Sequence, residues 1–503
     1  MEAAHQSQLS EPAPAPVKPG RRVLAALAHA LGWALPLAGG LAMRLAMLKR
    51  LFIVNGDSLI YGGLGKTLLE GRYGLEVLGT TISPTLIRLP GYPLYLALCF
   101  RFLGMENYFA ATLPQIFLEL LGCLLLADFA RRIAPPRLKR GAPLATLWIA
   151  CLCPFTASYA VVPLTEALTL FSLAVALWAM ARFCDRPGWL TALAFTFAVT
   201  YAALLRPDGV LAAVAFVPAL VIAVRRSPVE RAQTAGPRSA PPRKLVAIAV
   251  VCALLALAPF AAWTVRNWRV FHVLEPLAPR YAVDPGQSSN PGWQSWIKTW
   301  CLDFTCTYNV YWEVPGDPLD IGLLPARAFD SSAQFYETAA IISDYNNRDN
   351  ASFFASDVDA RFAALARERT NAHPLRSYLF LPIGRVADMW LRPRVENLNI
   401  DLDWWAYAHH NAETRFSWEY AALNALYLLL AAVGLALRPR FSLAMLAYML
   451  LRSALLLTVE APETRYTLEC FPMLFALSGV ALSALEQFQD RYTQRAGFGV
   501  SWD

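Results

Sequence analysis

The sequence predicts an all-helical protein that crosses a membrane about ten times, and three observations predict it. Hydrophobic residues make up 56% of the chain and charged residues only 16%, with a mean hydropathy of +0.38, more apolar surface than one water-soluble core can hide. Several apolar runs reach the ~20 residues that a helix needs to cross the hydrocarbon layer. The Lys and Arg residues largely gather in short connections beside those runs, the distribution that marks cytoplasmic loops. The net charge of +7 and the pI near 8.9 therefore describe membrane topology, and nucleic-acid binding is set aside.

Residues 1–22 are polar, rich in Ala and Pro, and end in Arg21 and Arg22, so they read as a disordered cytoplasmic tail. The stretch from Val23 to Met43 is long for a cleaved signal and reads as the first span, with His29 packed inside it. Two helices too short to cross, 57–70 and 92–103, are expected along the outer surface. Further spans are expected at 108–130, 142–162, 166–184, 188–205, 209–224 and 245–264. After a long outer segment come spans at 418–437, 441–459 and 467–485, then a cytoplasmic tail at 486–503. Alternate crossings place Arg131 to Arg140, Arg225 to Lys244, Arg438 and Arg440 inside. They place 44–107, 163–165, 206–208, 265–417 and 460–466 outside.

The chain thus divides into a membrane module at 23–264, an outer unit at 265–417 and C-terminal spans at 418–485. The outer unit carries the turn signals PGDP and NNRDN and is long enough to be a small α or α+β domain. Residues 351–369 have helical periodicity, and 375–392 read as an interfacial helix ending near Trp390. Trp293, Trp296, Trp300 and Tyr308 either form its core or stack on ligands. Cys301 and Cys306 share this unit; an oxidising compartment favours a disulfide, but a spacing of five fits poorly across an ideal helix, so pairing stays open. No CxxC or HExxH pattern points to a metal site.

Ionisable residues gather on the outer side. Asp57, in GDSLIY with Ser58 and Tyr61, starts a helix and is either an N-cap or a functional carboxylate. Arg88 precedes the stiff Pro90-Gly91-Tyr92-Pro93 turn, which suits a lipid headgroup or a single phosphate. Glu166 opens a span in VVPLTEALTL, where it caps its own helix with Thr165 or does chemistry. LLRPDG supplies Arg206 and Asp208, and APETRYTLECFP supplies Glu463, Arg465 and Tyr466. Glu119 lies inside a span, where an ionised carboxylate costs about 2.5 to 3.5 kcal/mol, and is expected to point inward, protonated or hydrogen-bonded.

The order and sidedness of GDSLIY, RLPGYPLYLA, TEALTLF, LLRPDG and ETRYTLECFP resemble the GT-C glycosyltransferases. The branch it resembles contains the protein O-mannosyltransferases and the bacterial aminoarabinose transferases that modify lipid A. The resemblance covers 23–264 and 418–485. It implies an inverting transferase in a bacterial inner membrane, facing the periplasm and moving a sugar from a polyprenyl-phosphate donor to a hydroxyl acceptor. Asp57 then becomes the catalytic base, with Glu166 orienting hydroxyls or serving as a secondary acid. Arg88 and Arg465, then Arg206, would stabilise the departing lipid phosphate. Ser58, Tyr61, Tyr92, Asp208, Glu463 and Tyr466 are the remaining candidate substrate contacts. Mannosyltransferase-type relatives carry Glu where Ser58 stands, so acceptor class and any divalent-metal requirement stay open, and no other cofactor is expected. The expected partners are a polyprenyl-phosphate-linked sugar, an acceptor not named by the sequence, and membrane lipids. The rival readings are an O-antigen ligase or polymerase, which would rely on arginines in a large outer loop, and a lipid-sugar transporter or flippase, which would favour paired inverted halves.

Overall fold

The computed structural model describes residues 19–54, 56–77, 81–234, 242–348, 354–398, 400–401 and 410–495. Most of the N-terminal tail, the middle of the 225–244 connection and the last eight residues lie outside that set.

The first long helix, α1 (Pro19–Leu51), does not stop at Met43, because Leu45, Ala46, Met47 and Leu48 continue its apolar pattern. Arg44 is therefore inside the helix and not in an outer loop. His29 is exposed on α1, not packed in a core. Two short helices follow, α2 (Asp57–Leu69) and α3 (Gly91–Leu103), joined through a hairpin of β1 (Gly74–Val77) and β2 (Thr81–Pro84) that periodicity did not reveal.

The membrane module continues with α4 (Tyr108–Ile133), α5 (Ala142–Cys151) and α6 (Pro154–Ala160). One span was expected at 142–162, but α5 and α6 are bent by 54°. Pro154 has no N–H for the helical ladder and its ring crowds the preceding turn, so the helix breaks there. Next come α7 (Glu166–Asp185), α8 (Trp189–Leu205), α9 (Val210–Thr234) and α10 (Pro242–Phe271).

The 265–417 segment holds α11 (Pro291–Lys298), the single turn α12 (Phe304–Cys306), α13 (Ser332–Asn346), α14 (Ser356–Ala372) and α15 (Leu381–Leu391). Its described elements are all helical. Trp293, Trp296 and Trp300 are buried with Tyr345, Phe354 and Phe362 in a separate core, whereas Tyr308 is half exposed. Cys301 and Cys306 form a disulfide with Cα atoms 5.7 Å apart. The spacing works because irregular backbone separates α11 from α12, so no continuous helix spans the two residues. Leu375, Tyr378, Phe380, Ile383 and Leu391 expose apolar surface along and just before α15, as an interfacial helix requires.

The chain closes with α16 (Asn411–Ala436), α17 (Ser442–Leu456) and α18 (Phe471–Arg495), the last running well into the expected tail. Among the described residues seven helices are long and apolar enough to cross a membrane, or eight when α5 and α6 count as one. The other two expected spans are the shorter apolar helices α8, of 17 residues, and α17, of 15. The fold is thus that of a helical polytopic membrane protein whose described residues form one two-stranded hairpin besides the helices. Its main core lies where α4 packs on α5 and α7, and where α18 packs on α5 and α16. A Cβ at Gly434 would overlap the Leu477 carbonyl, so only glycine permits that α16–α18 crossing.

The helix ends sort into two groups. At one end Asp185 pairs with Arg132 at 2.6 Å and with Arg440 at 2.6 Å, tying α7 to α4 and to the α16–α17 turn. At the other end lie Asp57, Glu166, Arg206 and Arg465.

Glu119 points inward, as expected, but it is met by an arginine. Arg44 Nη2 lies 2.6 Å from Glu119 Oε2, with side chains 0% and 4% exposed. The same guanidinium donates to the Cys151 carbonyl at 2.7 Å, beside the break between α5 and α6. Removing one partner of a buried pair strands the other charge, which costs about 3–5 kcal/mol. Arg44→Ala is therefore expected to lower the melting temperature sharply in detergent, while Arg44→Met with Glu119→Met recovers most of the loss. An unchanged melting curve for the single variant would remove the pair from the account of stability.

Candidate active site

Asp57 owes its position to Gly56, whose φ of +46° is open to glycine and turns the chain from α1 into α2. Gly56 is the N-cap and makes no side-chain cap, so the capping reading of Asp57 gives way to another. Asp57 Oδ1 accepts from Arg88 Nη2 at 2.6 Å and Oδ2 from Arg465 Nη2 at 3.2 Å. Arg88 stands on a braced segment. Asp284 accepts from Thr85 Oγ1 at 3.0 Å and from the Leu86 N–H at 2.8 Å, and Tyr73 donates to the Arg88 carbonyl at 2.8 Å. The Arg88 guanidinium also lies over the Tyr61 ring, 5.8 Å from its centre. Burial alone would raise the Asp57 pKa, but Arg465 and Arg88 outweigh it and hold the carboxyl at about 2.

Behind this pair the network continues. Arg465 Nε reaches Glu463 at 2.5 Å and Nη1 reaches Glu166 at 3.6 Å, while the Tyr466 hydroxyl donates to Glu463. Arg206 pairs with Glu166 at 3.2 Å, Glu469 at 3.1 Å and Asp208 at 3.4 Å, and lies over the Tyr466 ring. Arg452 joins Asp208 at 2.6 Å and Glu469 at 2.9 Å. The connected carboxyls are Asp57, Glu166, Asp208, Glu463 and Glu469, and the guanidiniums are Arg88, Arg206, Arg452 and Arg465: five against four. A phosphate entering this network requires a carboxyl to give up its guanidinium or take up a proton.

Two cavities, of about 1050 Å³ and about 890 Å³, flank the network. Asp57, Leu164, Trp312, Glu463 and Arg465 line both. The first also touches Tyr61, Arg88, Arg206, Asp208 and Tyr466. The second runs past the end of α1 to Tyr159, Phe304, Tyr308, Glu396 and Asn397. Glu166 is 2% exposed and lines neither; it is enclosed between Arg206 and Arg465. Ser58 and Tyr92, expected as substrate contacts, are fully buried away from both cavities. The helical turn that exposes Asp57 faces Ser58 into the protein, and the Tyr92 hydroxyl donates to Gln115 at 3.0 Å.

No known family's sequence profile matches the chain, and no curated protein matches it. Two crystal structures of ArnT from Cupriavidus metallidurans are similar. One is bound to undecaprenyl phosphate and one is in the apo state. Each is 16% identical with a TM-score of 0.36, covering 91% and 90% of this chain and 78% of the other. A superposition this loose guides no residue assignment, and the site is read from its own geometry.

Sequence reasoning missed Arg452 and Glu469. Each sits in an apolar stretch, and the available signal was that an ionisable residue in a span needs a partner. Arg394 was also missed. It is buried and donates to Asn424 at 3.2 Å, to the Thr464 carbonyl at 2.9 Å and to Thr467 at 2.6 Å, which anchors the segment after α15 to the ETRYTLECFP stretch. Among the described residues no three His, Cys, Asp or Glu side chains are grouped as metal ligands.

Proposed function

We propose that this protein is an inverting glycosyltransferase of the GT-C type, transferring a sugar from a polyprenyl phosphate to a hydroxyl acceptor at the outer face of a bacterial inner membrane. The observation that carries the reading is Asp57 held between Arg88 and Arg465 on the wall shared by two cavities. That arrangement supplies both groups the reaction needs, a carboxylate for the acceptor proton and guanidiniums for the departing phosphate. The Cys301–Cys306 disulfide supports an oxidising compartment for the 265–417 segment.

In this mechanism the donor phosphate draws Arg88 and Arg465 away from Asp57. Losing both countercharges raises the basicity of the carboxylate. Asp57 accepts the proton as the acceptor oxygen attacks the anomeric carbon, and the bond from that carbon to the phosphate oxygen breaks on the opposite face. The electron pair leaves with the lipid phosphate, whose growing charge the arginines stabilise. One displacement inverts the anomeric centre. Glu166 keeps Arg206 and Arg465 in place.

The test is to give the purified protein a panel of undecaprenyl-phosphate sugars and follow donor consumption and acceptor mass gain. Labelled lipid-sugar moving across a vesicle membrane without consumption would replace the reading with a transporter. Sidedness is checked with impermeant thiol labelling: Tyr336→Cys should react in intact spheroplasts and Lys139→Cys only after permeabilisation. The reverse pattern would overturn the outward-facing site. The native cysteines interfere little, since the free ones other than Cys252 are buried.

A further inference from the structure

Two adjacent side chains on the second cavity each carry one buried polar atom without a hydrogen-bond partner. The Glu396 side chain is 4% exposed, and its Oε1 accepts no hydrogen bond; the Arg392 Nε stands 3.9 Å away. Asn397 Nδ2 is buried and donates to nothing. Both line the cavity that also holds Asp57 and Arg465. A buried unpaired acceptor beside a buried unpaired donor is costly in an empty protein, which points to a ligand that supplies both complements. A hydroxyl does so, since it donates one hydrogen and accepts at its lone pairs.

Aromatic side chains line the same cavity. Phe304, Tyr308 and Trp312 form a cluster with ring centres 5.5 to 6.3 Å apart, and Tyr308 and Trp312 are 52% and 46% exposed. Phe304 lies inside the Cys301–Cys306 disulfide loop, and Tyr308 and Trp312 follow it directly, so the bridge fixes the start of their helical turns. An aliphatic lipid tail would match the rings but leave Glu396 and Asn397 unsatisfied. A sugar ring matches both, its apolar C–H face against an aromatic and its hydroxyls toward the polar pair. Burial pushes the Glu396 carboxyl pKa up, against the pull of Arg392 and Arg394.

We infer that Glu396 and Asn397, with Tyr308 and Trp312, form a sugar-binding subsite in the second cavity that positions hydroxyls beside Asp57. This inference rests on the glycosyltransferase reading above. The sugar belongs to the lipid-phosphate donor or to a glycosylated acceptor, and the two sources separate experimentally.

The full-length protein in nanodiscs is titrated with bare undecaprenyl phosphate, with undecaprenyl-phosphate hexose and pentose, and with hexyl glucoside, a sugar on an alkyl chain without phosphate. In the wild type, a sugar form should bind more tightly than bare lipid phosphate. Glu396→Ala and Asn397→Ala should each weaken that sugar-dependent increment about three- to tenfold, the range for one hydrogen bond to an uncharged group. Affinity for bare undecaprenyl phosphate should stay unchanged, and Glu396→Gln, which keeps a donor and an acceptor, should retain most of the increment. If the donor increment survives while hexyl glucoside binding falls by the same factor, the subsite serves the acceptor. Tyr308→Ala changes an exposed ring and keeps the test alive should Glu396→Ala melt early. Unchanged sugar affinities in all these variants, with normal binding of bare lipid phosphate, overturn the subsite and leave the pair to water. A wild type that binds no undecaprenyl phosphate overturns the donor reading and this inference with it.

Discussion

Asp57→Asn is expected to lower turnover by about two to four orders of magnitude, the range for removing a general base, while lipid-phosphate affinity holds or rises. The second half of that result comes from the geometry. In the resting protein Arg88 and the Nη2 of Arg465 are committed to Asp57, so a neutral amide frees the Arg88 guanidinium and that edge of Arg465 for the phosphate, while Arg465 Nε stays on Glu463. Single-turnover sugar transfer and titration with bare undecaprenyl phosphate measure the two halves separately. A well-folded Asp57→Asn protein that still transfers sugar at near wild-type rate would remove Asp57 from the chemistry.

The low pKa sharpens this expectation. Folding depresses the Asp57 pKa to about 2, below the ~3.9 of an unperturbed aspartate. Its contribution to stability is therefore fully present above about pH 4 and is lost as pH falls through about 2. No acid limb near neutrality in kcat/KM should come from Asp57 in the free enzyme. A limb that appears only in kcat reports the carboxyl after the arginines have turned to the phosphate.

Arg465→Ala is expected to have the second largest effect, and it differs in kind. Arg465 faces Asp57, Glu166 and Glu463 at once, with its side chain 17% exposed and those of Glu166 and Glu463 at 2% and 6%. Its removal strands buried negative charge, for which the order of magnitude is 3–5 kcal/mol of stability. It also removes a charge-assisted contact to the donor phosphate, worth roughly a ten- to hundredfold loss of affinity. Bare undecaprenyl phosphate should bind more weakly, in contrast to Asp57→Asn, and the protein should melt earlier. Arg465→Lys keeps the charge but not the fork, so it should rescue stability more than turnover. Equal lipid-phosphate affinity in wild type and a folded Arg465→Ala protein would take the phosphate away from this arginine.

Much of the architecture was legible because membrane burial writes itself into local composition. Each of the ten expected spans coincides with an apolar helix or helix pair, and the residues that meet Asp57 all came from segments placed on its side. The helix ends agree, with Asp185, Arg132 and Arg440 gathered at one end and Asp57, Arg206 and Arg465 at the other. What was not legible depends on contacts between distant segments. Asp57 and Arg465 lie 408 residues apart, and no periodicity says that one completes the other. Arg44 was misplaced because a charge ends an apolar run by eye, although Glu119 on α4 makes it tolerable inside. Ser58 and Tyr92 belonged to suggestive motifs, but neighbours within a motif face opposite sides of a helix, and these two face the protein. The bend at Pro154 had a visible cause, yet the apolar run continued through it and masked the break.

The wall between the two cavities consists largely of salt-bridged side chains, those of Asp57, Glu463 and Arg465, together with Leu164 and Trp312. Such a partition behaves as a turnstile. It can rotate out of the way on the timescale of side-chain motion, without sliding any helix of the bundle. Under the proposed reaction, what would turn it is an anion able to compete for the arginines, the lipid phosphate, which would open one chamber to the other. The leaving group itself would then be the key to the passage between the chambers.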